Sequence, residues 1–452
     1  MTKIEDRQES TFAVKSSKAA LTKSDDIMIH SMKDTDVVSV DLKNAQTGPV
    51  AEKAEAQPNQ VMVMFGLLRK LIGVKDILAL QAYIIACYLI STCGKPRILE
   101  LHGPTRYFFN VSMADPDEPL ERMVNVLHWW FSKDLKYISG KLIKPYNSIL
   151  GETFKCWWDV SQEEIDSTGQ ASLTASESKE TIRVKCLNEQ VSVNKQISHH
   201  PPVSGFYYTC EQKGVEARGI DHISARFSGT SFKVGPGDQN LGIFVRMLNR
   251  DNEEYQLTHP WASVNGWLKA SLYATISDNC YMTCPKSKLK AIVEYKDEKW
   301  IGKPKFELRG LIFTYDPNND TINKLKNVPS ADVLATIEGS WRTQIHVIYP
   351  DGRKRLLIDL TELEVMPKQV KPMEEQEEME SRRIWKDVTE SILAKDFNQA
   401  TKVKHALEEA QRAKAADRKS NGEEFVPQLF KLPVEGGKPE LTEQAREILK
   451  SL

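Results

Sequence analysis

The sequence lacks net charge: 61 Lys and Arg stand against 62 Asp and Glu over 452 residues, for a formal charge of -1. A general nucleic-acid binder shows a basic excess or stripe, so this balance excludes that class and makes any phosphate recognition local. Cysteine is sparse and unpatterned. The seven residues (Cys87, Cys93, Cys156, Cys186, Cys210, Cys280 and Cys284) form no tight framework and read as reduced thiols of a cytosolic protein. Cys280 and Cys284 lack a second Cys/His pair at zinc spacing, so no metal is expected. There is no P-loop, Gly-rich dinucleotide fingerprint, HExxH helix, phosphatase loop or recognisable nucleophile setting. No catalytic residue, cofactor or enzymatic activity is therefore expected. The N-terminal stretch MTKIEDRQESTFAVKSSKAALTKSDD lacks the apolar core of a signal peptide. Long hydrophobic runs are limited to residues 77–94, ILALQAYIIACYLISTCG, bracketed by Asp76 and Lys95. That run just reaches the length of a membrane span, but Gln81, Ser91, Thr92 and two Tyr dilute it toward a buried or lipid-facing helix.

Residues 1–60 are rich in Lys, Ser, Asp, Thr, Ala and Gln with almost no aromatics, which predicts a disordered, low-complexity segment. From Val61, VMVMFGLLRKLIGVKDILAL places apolar residues at helical spacing, and Pro119 opens a second helical pattern over 119–138. Beyond Cys156 the texture is strand-like. Residues 181–187 and 341–348 alternate, and Tyr349-Pro-Asp-Gly-Arg353 turns the chain into a return strand over 354–360. The serine- and acid-rich residues 161–180 predict a surface loop. Many short strands between Gly, Pro and Asn turns predict one large sheet system, a sandwich or a barrel. After Pro372 the pattern is helical again, with Trp385, Val388, Ile392, Ala400, Val403, Leu407 and Ala410 near one stripe.

Three polar elements are candidates for chemistry. His199-His200 precede Pro201-Pro202. Proline biases the preceding residue toward extended backbone, where successive side chains point to opposite faces, so the pair is poorly suited to chelate one ion. It reads as two histidines at a strand end or as part of an anion pocket. Lys144-Pro-Tyr-Asn147-Ser-Ile-Leu-Gly-Glu152 is a non-helical segment whose Lys144 and Asn147 can donate hydrogen bonds; an ordinary capped turn is the plainer reading. Lys404, Glu408 and Arg412 are spaced i, i+4, i+8 on a predicted helix. They form either a solvated ladder of ion pairs or two cations held by a carboxylate and offered to a phosphate.

Together, Ser198-His-His-Pro-Pro-Val203, the KPYNxxLGE element, the KxxxExxxR element and Pro427-Gln-Leu-Phe430, in that order, resemble the oxysterol-binding-protein-related lipid-transfer family over residues 61–432. The resemblance implies an α+β fold: a large incomplete antiparallel β-barrel enclosing a hydrophobic tunnel, with an N-terminal helical lid and C-terminal helices. It divides the chain into lid and N-terminal helices (61–155), barrel (156–370) and C-terminal helical part (371–452). It implies phosphatidylinositol 4-phosphate at the tunnel mouth, bound by Lys144, Asn147, His199, His200, Lys404 and Arg412, with Glu408 orienting the cations. A sterol or phosphatidylserine would be exchanged for it between membranes. The partners implied are phospholipids and sterol, met by peripheral association with endoplasmic reticulum, Golgi or plasma-membrane contacts from the cytoplasm. A phosphomonoester with nearly two charges would favour cationic histidines beside it.

The sequence departs from the family pattern in several places. Glu189-Gln190-Val191 is separated from Ser198 by Ser192-Val-Asn-Lys-Gln-Ile197. The Leu-Pro and Glu-Pro lid elements are missing after Leu80, and no pleckstrin-homology or ankyrin region precedes the core. The altered lid leaves two alternatives beside an exchanger: a lipid sensor or scaffold with weak transfer, and a member anchored through residues 77–94.

Overall fold

A computed structural model describes residues 111–133, 146, 148–161, 181–191, 203–227, 232–265, 273–296, 305–363 and 368–452. The low-complexity start, the lid with its 77–94 run and most of the 161–180 loop lie outside the described residues. Among the described residues, no helix is long and apolar enough to cross a membrane.

The strands are β1 (Thr153–Ser161), β2 (Thr181–Val191), β3 (Val203–Cys210), β4 (Val215–Phe227), β5 (Phe232–Pro236), β6 (Ile243–Met247), β7 (Glu253–Leu257), β8 (Trp261–Asn265), β9 (Tyr273–Cys284), β10 (Leu289–Tyr295), β11 (Glu307–Thr314), β12 (Val333–Ser340), β13 (Gln344–Ile348) and β14 (Lys354–Asp359). They form one 14-stranded sheet. The long strands β4 and β9 are joined by two routes, β5–β8 and β6–β7, while β1 and β14 end the order without pairing with each other. This is an incomplete antiparallel barrel, as expected.

Alternation within the strands builds the interior. Cys156, Trp158 and Val160 on β1 lie opposite Cys186, Val184 and Ile182 on β2, and all six belong to the main core. The alternate set, Leu187, Val191, Val203, Tyr207 and Ile220, faces outward under Leu429, Phe430, Leu441, Ala445 and Leu449 of the C-terminal segment. Hence β3 is buried along its whole length. Gly205 permits this close cover, because a Cβ there would stand 2.8 Å from the Phe430 ring.

Helix α1 (Pro119–Ser132) begins with proline as predicted, and residues 134–138 of the expected helix lie outside the described residues. Arg122 anchors it: Nε and one terminal nitrogen donate to the two carboxylate oxygens of Glu253 on β7, each at 2.8 Å. At its end, Lys133 Nζ lies 3.4 Å over the Trp130 ring and donates to Tyr295 Oη at 3.2 Å.

The strand expected over 341–348 is shorter. Trp341–Thr343 form the turn between β12 and β13, with Thr343 N donating to Ser340 O at 3.1 Å. Trp341 is buried because its ring meets Phe306 edge-on at 5.1 Å, which gave it the spacing of a strand-face residue. Helices α2 (Ser381–Ile384), α3 (Lys386–Leu393), α4 (Phe397–Asn421) and α5 (Glu443–Ser451) complete the chain.

Candidate functional site

The apolar stripe from Trp385 to Leu407 does not run along one helix. Lys395 adopts a left-handed φ of 59°, breaking the pattern into α3 and α4, and the Asp396 side chain caps α4 by accepting from Gln399 N at 3.0 Å. The two helices fold together so that Trp385, Val388 and Ala400 are buried against each other, with Ile392, Val403 and Leu407 partly buried around them. Ala410, counted in the stripe, is exposed.

This helical hairpin is fastened to the barrel through the segment that precedes β1. Tyr146 stacks on Trp385 with ring centroids 4.5 Å apart and 9° between planes, and its hydroxyl is 2.9 Å from Thr389 Oγ1. Ile149 joins the same cluster. Glu152 supplies the polar anchor: Oε2 accepts from Ile149 N at 2.9 Å and Trp385 Nε1 at 3.2 Å, and Oε1 from Ser381 Oγ at 2.6 Å. Gly151, with φ +82°, makes this turn, and its missing Cβ leaves room for the Phe425 ring. Lys155 Nζ lies 2.9 Å from Glu377 and 3.3 Å from Glu380. Burial pushes the Glu377 carboxyl up, but hydrogen bonds from Gln428 and Lys155 outweigh it and hold its pKa below the usual range.

The same turn meets the β2–β3 hairpin. Gly151 N donates to Gln190 O at 3.0 Å and Gln190 N to Glu152 O at 2.9 Å. Glu189 accepts from the backbone N–H groups of Gln428 and Leu429, both at 2.7 Å, so the EQV and PQLF elements are joined directly. Burial raises the Glu189 carboxyl pKa despite these donors. Val191 pairs with Val203 and Gln190 with Ser204, a register locked by Gln190 Nε2 donating to Val203 O at 2.8 Å. The extra residues therefore fall in the 192–202 connection and leave the ladder in step.

Of the site residues named from sequence, Lys404, Glu408 and Arg412 are described. All three lie on α4, where Lys404 Nζ is 3.6 Å from Glu408 Oε1 and Arg412 is exposed a turn further on. Lys144, Asn147, His199 and His200 lie outside the described residues. In the sequence, Tyr146 stands between Lys144 and Asn147, and Val203 follows His200 by three positions. Glu152, Glu189, Gln190 and Gln428 fall inside the sequence motifs, but their packing partners lie far along the chain and no local signal marks their task. The task of Tyr146, stacked on Trp385, likewise has no local signal in the sequence.

Fold and site define a class: an open antiparallel barrel with a helix against it, and a C-terminal helical hairpin packed on the segment that precedes β1. The sequence model of the family described as Oxysterol-binding protein matches residues 104–394, and the chain belongs to that family. Oxysterol-binding protein-like protein 1 of Schizosaccharomyces pombe is 35% identical over 478 residues, covering 88% of this chain and 92% of that protein. Human oxysterol-binding protein-related protein 9 is 31% identical over 325 residues, 71% of this chain but 40% of that longer protein. Among solved structures, the Osh1 ORD domain in complex with ergosterol aligns with a TM-score of 0.56 at 14% identity, over 80% of this chain and 85% of that one. The Saccharomyces cerevisiae Osh3 ORD in complex with PI(4)P aligns at 0.51 with 14% identity, over 85% and 92%. At such identities the likeness is one of fold.

Proposed function

We propose that the protein is a non-enzymatic lipid-transfer protein. It extracts phosphatidylinositol 4-phosphate and exchanges it for a sterol or phosphatidylserine between membranes with which it associates peripherally. The observation that carries this reading is the meeting of the described flanks of all three motif elements. Tyr146 and Ile149, the Val191–Val203 stem and the α3–α4 hairpin are linked through Glu152, Gln190 and Trp385. Lys404 held by Glu408, with Arg412 exposed a turn further on, suits a phosphomonoester, which carries close to two charges and several strong acceptors at neutral pH. Lys144, Asn147, His199 and His200 complete the head-group site in this reading, and acyl chains or a sterol occupy the apolar barrel interior. Support for two kinds of ligand comes from the shared fold, since one structural neighbour holds ergosterol and another PI(4)P.

Replacing His199→Ala together with His200→Ala is expected to abolish extraction of phosphatidylinositol 4-phosphate from liposomes while the melting temperature stays unchanged. Extraction at the wild-type rate by the double variant overturns the assignment. Transport between donor and acceptor liposomes, measured on the wild type, separates an exchanger from a sensor.

A further inference from the structure

We infer that the turn joining α3 to α4 is a membrane-docking tip that places Leu393 and Phe397 into an anionic bilayer. Every residue from Leu393 to Gln399 is exposed, including these two large apolar side chains at 49% and 42% exposure. They are not needed to close the hairpin. Their neighbours Ile392 and Ala400 already pack with Trp385 and Val388. The turn is nevertheless held in shape: Lys395 is left-handed, Ala394 N donates to Glu390 O at 2.9 Å, and Asp396 N donates to Ser391 O at 2.8 Å. A fixed turn presenting two apolar side chains is a docking feature rather than a frayed end.

Charge names the occupant. Residues 393–421 carry seven Lys and Arg against four Asp and Glu, in a chain whose net charge is -1. The arrangement along α4 is directional as well. At about 100° per residue, Phe397, Lys404, Glu408 and Arg412 fall within about 80° of one another around the helix. Lys404 stands about 10 Å further along the axis than Phe397, at about 1.5 Å per residue. Interfacial side chains enter the head-group and acyl boundary by about 5–10 Å. With Phe397 at that depth and α4 along the bilayer normal, Lys404 stands at the level of the head groups and Arg412, about 12 Å further on, above it. Two exposed apolar side chains flanking Lys395 and Asp396, with Lys404 set back by about a head-group layer, fit a lipid surface better than a protein groove. The inference rests on the proposed head-group role of Lys404 and Arg412, since it explains how that helix face reaches its ligand.

The test uses the full chain and vesicles of phosphatidylcholine with phosphatidylserine, free of phosphoinositide, beside vesicles of phosphatidylcholine alone. The wild type is expected to co-sediment preferentially with the anionic vesicles. Leu393→Ser with Phe397→Ser is expected to lower that partitioning about tenfold. Its binding of a soluble short-chain phosphatidylinositol 4-phosphate should stay at the wild-type level. Undiminished partitioning of the double variant overturns the inference, as does equal binding of the wild type to both vesicle types. If the short-chain lipid fails to bind the wild type, the head-group reading falls while the sedimentation result still decides the tip. Phe397→Trp gives a second reading on a protein with its apolar tip intact. Brominated lipid should quench it beyond the nine tryptophans of the wild type, and no added quenching contradicts insertion.

Discussion

Helices α1 and α4 are built on opposite plans. Nine of the fourteen residues of α1 are buried, whereas Ala400 alone is buried among the twenty-five of α4. The first is a structural wall. Its Arg122–Glu253 pair is two-pronged and enclosed, and Arg122 also donates to the carbonyls of Pro116 and Asp117 at 2.9 and 2.5 Å. Tyr255 Oη adds a third hydrogen bond to Glu253 at 2.5 Å. The second is a surface device, held by one row of small contacts with the rest of its circumference left to solvent. Stability is concentrated where the chain is buried, and Lys404 and Arg412, the described cations proposed to meet ligand, sit where substitution costs the fold little.

That contrast can be broken from the α1 side first. Removing one partner of a buried ion pair leaves an uncompensated charge, so Arg122→Ala is expected to lower unfolding stability by about 3–5 kcal/mol in urea titrations. A loss under 1 kcal/mol would place the wall elsewhere. The next effect in size is that of His128, partly buried on α1, whose pKa is lowered from 6.5 to about 4 by burial and then by the positive charge of Arg355. Arg355 itself pairs with Glu121 at 2.9 Å. The unfolded imidazole takes up a proton near pH 6.5, the folded one only near pH 4. Stability is therefore lost as pH falls through that window, by about 2 kcal/mol between pH 7 and 5. His128→Gln should flatten that part of the urea-stability profile; an unchanged acid slope would contradict the assignment.

Much of this was legible in the sequence because it was local. Alternation found β2, the turn over 349–353 placed β14, Pro119 marked the start of α1, and the spacing of Lys404, Glu408 and Arg412 put them on one helix. What failed was long-range. Trp341 followed the period of a strand while serving as a plug against Phe306, because burial in a turn and burial on a strand face leave the same mark. The stripe from Trp385 to Leu407 concealed a reversal, since two helices packed face to face show the same apolar period as one. The anchors of the site were beyond local reading for a plainer reason. Glu152 reaches Trp385 across 233 positions and Glu189 reaches Leu429 across 240, so neither partner can be inferred from its neighbours.

The smallest expected change in stability carries the central claim, that the exposed face of α4 is a ligand surface and not a solvated ladder. Lys404→Ala with Arg412→Ala removes one partly exposed ion pair, for which less than about 1 kcal/mol of stability is at stake. Titration calorimetry of this variant with a soluble short-chain phosphatidylinositol 4-phosphate should show the affinity falling by about a hundredfold or more, because two charge-assisted contacts to phosphate are lost. Wild-type affinity in the folded double variant would contradict the account.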